Sequence, residues 1–283
     1  MKFWLLAVGA TAVAVTRPEP FELRPPTLAA YERYVALTDA RVADERSGTA
    51  PFLWIDRQPA SVQADAMNRL RRGEVVVAPL ETRDNGRTID VPDGLVHHWV
   101  GTVLVPGVSA TRLVAFVQDY ARYPETFAPM IQRARVLGRT DVDGRTVRYQ
   151  VSMRTYVKKV VAVVMDGTYA VDYYQLSPTR IATTNVATDL FQVGDAGSPA
   201  ERREPGDQAS GYLWRFQMYC AFEERPEGSL EQCESISLTR SIPFGLAWIV
   251  KPFVTGIPRE TLEFTLGQVR VAFADHPKPL EAR

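Results

Sequence analysis

Two adjacent histidines, His97 and His98, are the residues of this sequence that most strongly suggest chemistry. Histidine is a common metal ligand and acts as an acid or base near neutral pH. Both lie in residues 95–107, LVHHWVGTVLVPG, a pattern that predicts a long β-strand. Because successive strand residues point to opposite faces of a sheet, the two rings are badly placed to bind one ion. The third histidine, His276, follows the last predicted helix, so we expect no metal site.

Other catalytic or cofactor-binding motifs are missing from the sequence. It contains no G-x-S-x-G elbow, no C-x-x-C pair and no glycine-rich phosphate-binding loop. The run Asp141-Val142-Asp143-Gly144 begins like a calcium loop but lacks the later acidic ligands, so it predicts a turn. We therefore expect no cofactor. The sequence leaves open whether the protein is an enzyme and favours a binding role.

The composition is that of a folded protein without a strong electric field. The chain has 283 residues, of which 46% are hydrophobic, and its 33 basic and 33 acidic side chains give a net charge of zero. A chain of this length can bury a large core. No net charge exists to attract nucleic acid, so the expected partner is a neutral small molecule.

The N-terminus has the pattern of a signal peptide. Lys2 precedes an uncharged run over residues 3–15, which is too short to cross a bilayer comfortably. Small residues then form cleavage sites that end at Ala12 or Ala14. We expect residues 1–14 to be removed and the protein to be periplasmic or secreted, with a retained N-terminal anchor as the alternative.

If the protein is exported to an oxidising compartment, its two cysteines could form a disulfide. Cys220 and Cys233 lie in two strand-like runs that are joined by residues 225–228, Arg-Pro-Glu-Gly, a good turn sequence. If Glu224 pairs with Ser229 across this turn, counting outward places Cys220 opposite Cys233. A cross-strand disulfide and two reduced buried thiols both remain open.

The elements that would position these residues fall into two parts. The first part, residues 17–93, predicts a small α+β extension. It has a proline-rich tether (17–26), a helix (27–46), a strand (52–56) and a second helix that starts at Ser61 and stops at Gly73. Two strands, residues 74–80 and 87–91, then flank the hairpin turn Asn85-Gly86.

The second part, residues 94–274, predicts one long strand, two short helices, several strands and a final helix over residues 258–273. Ser109 caps the first short helix and Pro124 begins the second. A long polar segment covers residues 192–210, and a tail follows from residue 275.

The run GTVLVPGVSATRLVAFVQDYARYPETFAPMIQRARVL resembles the opening of the START-like, or SRPBCC, helix-grip superfamily, which includes polyketide cyclases and coenzyme Q-binding proteins. The likeness covers residues 95–273. The residues that carry it are Asp119, Tyr120, Tyr123, Pro124 and Glu125. The resemblance implies an α+β fold in which a curved antiparallel sheet wraps around a long C-terminal helix, with an apolar cavity between them.

The strand at residues 211–224 alternates between large apolar and polar side chains, which predicts one apolar face. In the register that pairs the cysteines, small hydroxyls on the next strand (Ser235, Ser237 and Thr239) oppose large side chains. Such a pairing leaves space, although an aromatic face that simply packs on the final helix is the competing interpretation. The ligand-binding residues that we predict are Tyr169, Tyr173, Tyr212, Trp214, Phe216, Met218, Ser235, Ser237, His98, Leu262 and Leu266.

These observations lead to a hypothesis and two alternatives. The hypothesis is an exported carrier of a lipid or isoprenoid-like molecule, loaded near residues 192–210 and residues 244–253. The second of these segments either touches a membrane transiently or is a buried connector. The first alternative is a cyclase or hydrolase-type enzyme that uses His98 or Tyr169 as acid-base residue. The second is a structural module in which residues 17–93 plug the cavity.

Overall fold

The computed structural model describes residues 23–158, 162–204, 213–240 and 247–275. For residues 247–255 and 275 it describes the backbone alone. The predicted signal peptide, Tyr212, His276 and the side chains of the apolar run at residues 244–253 lie outside the described residues.

Five helices and eleven strands are assigned in the described part of the chain. The helices are α1 (Pro25–Ser47), α2 (Ala60–Arg71), α3 (Ala110–Val117), α4 (Tyr123–Thr126) and α5 (Ala247–Asp275). The strands are β1 (Val76–Pro79), β2 (Arg83–Asp84), β3 (Arg87–Thr88), β4 (Gly94–Pro106), β5 (Ile131–Asp141), β6 (Thr146–Lys158), β7 (Ala162–Ser177), β8 (Arg180–Gly194), β9 (Arg202–Arg203), β10 (Leu213–Arg225) and β11 (Gly228–Arg240).

One antiparallel sheet dominates the structure. Its strand order is β1-β4-β11-β10-β8-β7-β6-β5, and β9 pairs with β8 beside this path. The long helix α5 follows the last strand and packs mainly on β4. The predicted α+β class, with a large antiparallel sheet and a C-terminal helix, is confirmed. At the far edge, β5 presents Arg133, Arg135 and Arg139 to solvent.

The hairpin of β10 and β11 has the register that the turn sequence predicts. Glu224 pairs with Ser229, and Cys220 pairs with Cys233. The two cysteines are joined by a disulfide. Since side chains alternate along strands, this register divides the central strands into two faces. We call the face toward α5 the inner face and the opposite one the outer face.

The inner face carries the largest apolar cluster, which α3, α4 and α5 cover. Helix α3 begins as predicted, because the Ser109 side chain accepts a hydrogen bond from the Arg112 backbone. Helix α5 sits against Gly101 of β4. A Cβ atom there would lie 2.7 Å from Leu266 Cδ1 and 3.0 Å from Leu262 Cγ. The missing side chain therefore allows the helix to approach the strand.

The N-terminal helices cover the outer face. Tyr31 and Tyr34 of α1 pack on Ile236 and Leu238 of β11, and α2 packs near the start of the same strand through Leu70. Helix α1 ends at Gly48, which adopts the left-handed conformation that favours glycine (φ 81°). The extension thus covers the side of the sheet opposite α5.

Three local predictions for the extension need correction. Residues 52–56 do not form a strand, since Trp54–Arg57 make a 3-10 turn. Helix α2 is preceded by Pro59 as N-cap, not by Ser61. The strand before Asn85-Gly86 does not belong to that hairpin: β1 joins the main sheet beside β4, while the short strands β2 and β3 form the hairpin. For β1, the pairing with β4 prevails over the local hairpin signal.

Gly101→Ala should destabilise the protein by about 1–3 kcal/mol, because the added methyl group overlaps Leu262 and Leu266. Urea unfolding followed by circular dichroism measures the change. Gly138→Ala is the matched control, since a Cβ atom at this strand position meets nothing within 4 Å. Equal stability of both variants would contradict the close seating of α5 on β4.

Candidate functional site

His98 lies on the outer face, so its predicted role in a cavity beneath α5 is wrong. Its side chain is 2% exposed and is enclosed between β4 and α1. The Nδ1 atom is 2.8 Å from the Tyr34 hydroxyl, and Nε2 is 2.6 Å from Glu234 Oε1. The neighbouring residue Trp99 faces inward instead, in line with the alternation of the strand.

The contacts of His98 form a buried polar network that holds α1 on the sheet. The Thr82 backbone N–H donates to the Tyr34 hydroxyl, which leaves the Tyr34 proton for His98 Nδ1. His98 Nε2–H then donates to Glu234, which also forms an ion pair with Arg41 of α1. Burial alone would raise the pKa of Glu234, but the His98 hydrogen bond and the Arg41 charge together lower it. The network is therefore a paired, structural one.

The predicted position of Trp214 on the ligand-binding face also needs correction. A register shift between Leu213 and Arg215 makes Trp214 an extra residue, so the even-numbered alternation breaks at this point. The indole packs in the outer-face cluster with Tyr31. The remaining alternation holds, because Phe216 pairs with Ser237 and Met218 pairs with Ser235 as predicted.

Several predicted ligand residues do meet on the inner face. Trp99, Phe216 and Met218 belong to the inner cluster yet remain partly exposed. Ser235 stands between Trp99 and Met218 in the strand pairing, and Ser237 stands beside Phe216. These five residues form a strip of large apolar side chains and small hydroxyls, which we call the inner strip.

Two further groups border the inner strip. Tyr169 of β7 makes an edge-to-face contact with Phe216, with ring centroids 6.3 Å apart. His97 Nε2 lies 2.9 Å from the Thr239 hydroxyl, and burial lowers the pKa of His97 to about 4. His97 is therefore uncharged at neutral pH. One end of the strip is lined by neutral polar groups.

The other predicted residues are fixed in the packed end of the inner face. Leu262 and Leu266 are each 2% exposed and press on Gly101. The Tyr173 hydroxyl is 2.8 Å from that of Tyr120, and both rings are buried. These residues hold α3, α5 and the sheet together and leave the partly exposed strip at the opposite end.

Glu231 is an inner-face residue that the sequence analysis missed. It is 4% exposed and pairs across the strands with Phe222 and Val103. Its Oε2 atom has no hydrogen-bond partner in the described part of the chain. Burial raises the pKa of Glu231 to about 8, so most of the carboxyl groups are protonated at neutral pH. Counting alternate residues along the strand, which places Cys233 and Ser235 on the inner face, would also have placed Glu231 there.

A cleft of about 330 Å³ opens beside the inner face where two strands separate. Strands β8 and β10 pair only as far as Val186 and Gln217. Beyond that point the cleft is lined by Ala187, Thr188, Asp189, Leu190, Arg203, Trp214 and Arg215. Ala187 and Leu190 also pack against the inner cluster, so the cleft borders the same interior. A second cavity, of about 20 Å³, lies on the outer face near Glu45 and Glu234 and has the size of one water molecule.

Searches within the described residues found neither a cluster of three potential metal-binding side chains nor a helix long and apolar enough to cross a membrane. No family model matches the chain, and no curated protein matches its sequence.

Solved structures with similar architecture were found. A START superfamily protein from Mycobacterium smegmatis is 15% identical, with a TM-score of 0.40, over 64% of this chain and 97% of that chain. A STAR-related lipid transfer protein from Xanthomonas axonopodis is 15% identical, with a TM-score of 0.42, over 69% of this chain and 98% of that chain. The Zhui aromatase/cyclase from a Streptomyces species is 10% identical, with a TM-score of 0.42, over 67% of this chain and all of that chain.

The order of the chain's own elements is that of a START-like, helix-grip fold: one long strand, two short helices, an antiparallel series of strands and a final helix packed on the first of those strands.

Tyr34→Phe should destabilise the protein by about 1–2 kcal/mol, because it removes the hydroxyl that links Thr82 to His98. Tyr31→Phe is the matched control on the same helix. The Tyr31 hydroxyl is buried without a hydrogen-bond partner in the described residues, so its removal should not reduce stability. Thermal unfolding of both variants measures the difference, and an equal loss in both would contradict the network.

Glu231→Gln should gain stability relative to the wild type as pH rises. The unfolded carboxyl ionises above pH about 4.5, while the folded carboxyl keeps its proton up to pH about 8. The free energy of unfolding of the wild type is therefore highest at low pH and falls by up to ~1.4 kcal/mol per pH unit between pH about 4.5 and about 8. Because glutamine does not titrate, the variant does not show this fall. Urea unfolding between pH 4.5 and 9 measures the gap. Glu231→Leu, which also lacks a titrating group, should gain stability relative to the wild type over the same pH range. A difference in stability between variant and wild type that is constant with pH would contradict the raised pKa of Glu231.

Proposed function

We propose that the protein binds and carries a hydrophobic small molecule, such as a lipid or an isoprenoid-like compound, on the inner strip. The observation that carries the proposal is that Trp99, Phe216 and Met218 point toward the interior of the fold and yet remain partly exposed. Covering such side chains with hydrocarbon stabilises a complex by about 0.8 kcal/mol per buried CH₂. The hydroxyls of Ser235 and Ser237 supply the few polar contacts that orient a ligand.

The cleft between β8 and β10 is the proposed entrance. It leads from the surface to Ala187 and Leu190, which pack against the interior. Its rim carries the Asp189–Arg203 ion pair at 2.7 Å, which is exposed to solvent and therefore contributes little stability. Separation of this pair would widen the entrance at small cost. Transient contact with a membrane during loading belongs to the same proposal.

Export to the periplasm or outside the cell is also part of the proposal. The disulfide between Cys220 and Cys233 supports it, because disulfides persist mainly in oxidising compartments. The order of residues at the N-terminus, with Lys2 first, then an apolar run and then small residues, supports it independently.

A binding role is favoured over catalysis by the positions of the two acid-base candidates. His98 lies on the outer face in a closed hydrogen-bond network. Tyr169 faces inward, but burial raises its pKa to about 12, so it stays protonated near neutral pH. A general base works best with a pKa near the operating pH. Neither candidate therefore meets both the positional and the electrostatic requirement.

The purified protein should bind a fluorescent apolar probe, and Met218→Gln should weaken this binding about tenfold by placing an amide in the inner strip. Leu137→Gln is the matched control, because Leu137 is an exposed apolar residue on β5. Fluorescence titration gives both affinities, and native mass spectrometry of the wild type detects a co-purified hydrophobic molecule. Wild-type protein that is empty and binds no probe would overturn the carrier function.

A further inference from the structure

We propose that Glu231 recognises an uncharged carbonyl oxygen at one end of an otherwise hydrophobic ligand, by donating a hydrogen bond from its neutral carboxylic acid. The inference rests on the proposed binding function and names the chemical class that the site selects. It predicts a long-chain ketone or ester as the preferred type of guest.

The position of Glu231 makes it the inner end of the proposed site. Along β11, Ser235, Cys233 and Glu231 point to the same face, so Glu231 lies ~13 Å beyond the Ser235 backbone position. Its cross-strand neighbours, Phe222 and Val103, are apolar. A ligand chain of about ten carbon atoms over the inner strip would bring its terminal oxygen to this carboxyl by separating Leu262 and Leu266 from Gly101, which pairs with Cys233 between Ser235 and Glu231.

The hydrogen bonding of Glu231 is incomplete. Oε1 lies 3.8 Å from Cys233 Sγ, a sulfur that belongs to the disulfide and has no proton to donate. Oε2 is buried and has no partner in the described residues. A buried polar atom without a partner destabilises the protein, and a hydrogen bond to a ligand oxygen would remove this cost.

The arginines of the covering helices α3 and α5 contact groups other than Glu231. Arg112 of α3 lies over the Phe273 ring, at 5.3 Å from its centroid, and Arg270 of α5 donates to the Leu104 carbonyl. The Tyr123 hydroxyl of α4 donates to the Val117 carbonyl, and its pKa is raised mainly by burial and to a smaller extent by neighbouring acidic groups that include Glu231. An unpaired carboxylate in such surroundings would be very costly, so the group keeps its proton.

A neutral carboxylic acid distinguishes between ligands in a defined way. It has one O–H donor, which matches a carbonyl oxygen, whereas an alkane offers no acceptor. A ligand carboxylate would have to be desolvated next to Phe222 and Val103 without a positive partner. The site should therefore prefer ketones and esters to both hydrocarbons and fatty-acid anions.

The test uses the full chain with 2-tridecanone and tridecane, each of which displaces a bound fluorescent apolar probe. The wild type should bind the ketone about tenfold more tightly than the alkane, which corresponds to about 1.4 kcal/mol. Glu231→Gln should keep most of this preference, since its amide N–H also donates. Glu231→Leu should bind both compounds equally. Loss of the preference only in the leucine variant would support the donor role.

The pH profile provides an arm that does not depend on the folding of the leucine variant. From pH 6.5 to pH 9.5 the wild type should lose its ketone preference as Glu231 ionises, while Glu231→Gln should keep it. Tyr123 remains protonated throughout this range, because burial raises its pKa well above the usual value.

The outcomes separate the two proposals. If the wild type binds tridecane but shows no preference for the ketone, the role of Glu231 is overturned and the carrier function stands. A ketone preference that survives in Glu231→Leu, or that fades with pH equally in wild type and Glu231→Gln, also overturns it. If the wild type binds neither compound and no probe, the binding function falls and the role of Glu231 falls with it.

Discussion

The central strands β4, β10 and β11 are buried on both faces, and this constraint governs the rest of the structure. On β4, Gly101 receives α5 on the inner face, while His98, three residues away, meets α1 on the outer face. A shift of one residue in strand pairing would exchange the two sets of side chains. The β10–β11 hairpin fixes the pairing through its short turn and through the disulfide between Cys220 and Cys233. Every later feature depends on this register.

The two faces of the sheet differ in how a buried glutamate is paired. On the outer face Glu234 is ionised and has partners in His98 and Arg41, so polar groups specify where α1 lies. On the inner face Glu231 is neutral and lacks a full set of partners. These glutamates are three residues apart on one strand. Their different surroundings assign one to the architecture and leave the other for recognition.

Much of the fold follows from short sequence signals, whereas the site depends on parity along the strands. The turn at residues 225–228 gives the hairpin register, and Ser109 gives the start of α3. Alternation fails at Trp214 because an extra residue in the strand leaves no mark in the pattern of apolar residues. The side of the sheet that His98 faces could not be read from two adjacent histidines. It depends on the pairing of β4 with β11 and on the position of α1, both of which are long-range contacts.

The arginine-bearing strand at the far edge has a consequence for how copies of the protein meet. An unpaired strand can add a strand from another molecule and so template fibrils. Two antiparallel copies of β5 would bring Arg133, Arg135 and Arg139 of one molecule toward the like charges of the other. Coulomb repulsion between these rows opposes the addition. The arginine row on β5 thus opposes edge-to-edge pairing of two copies of the sheet.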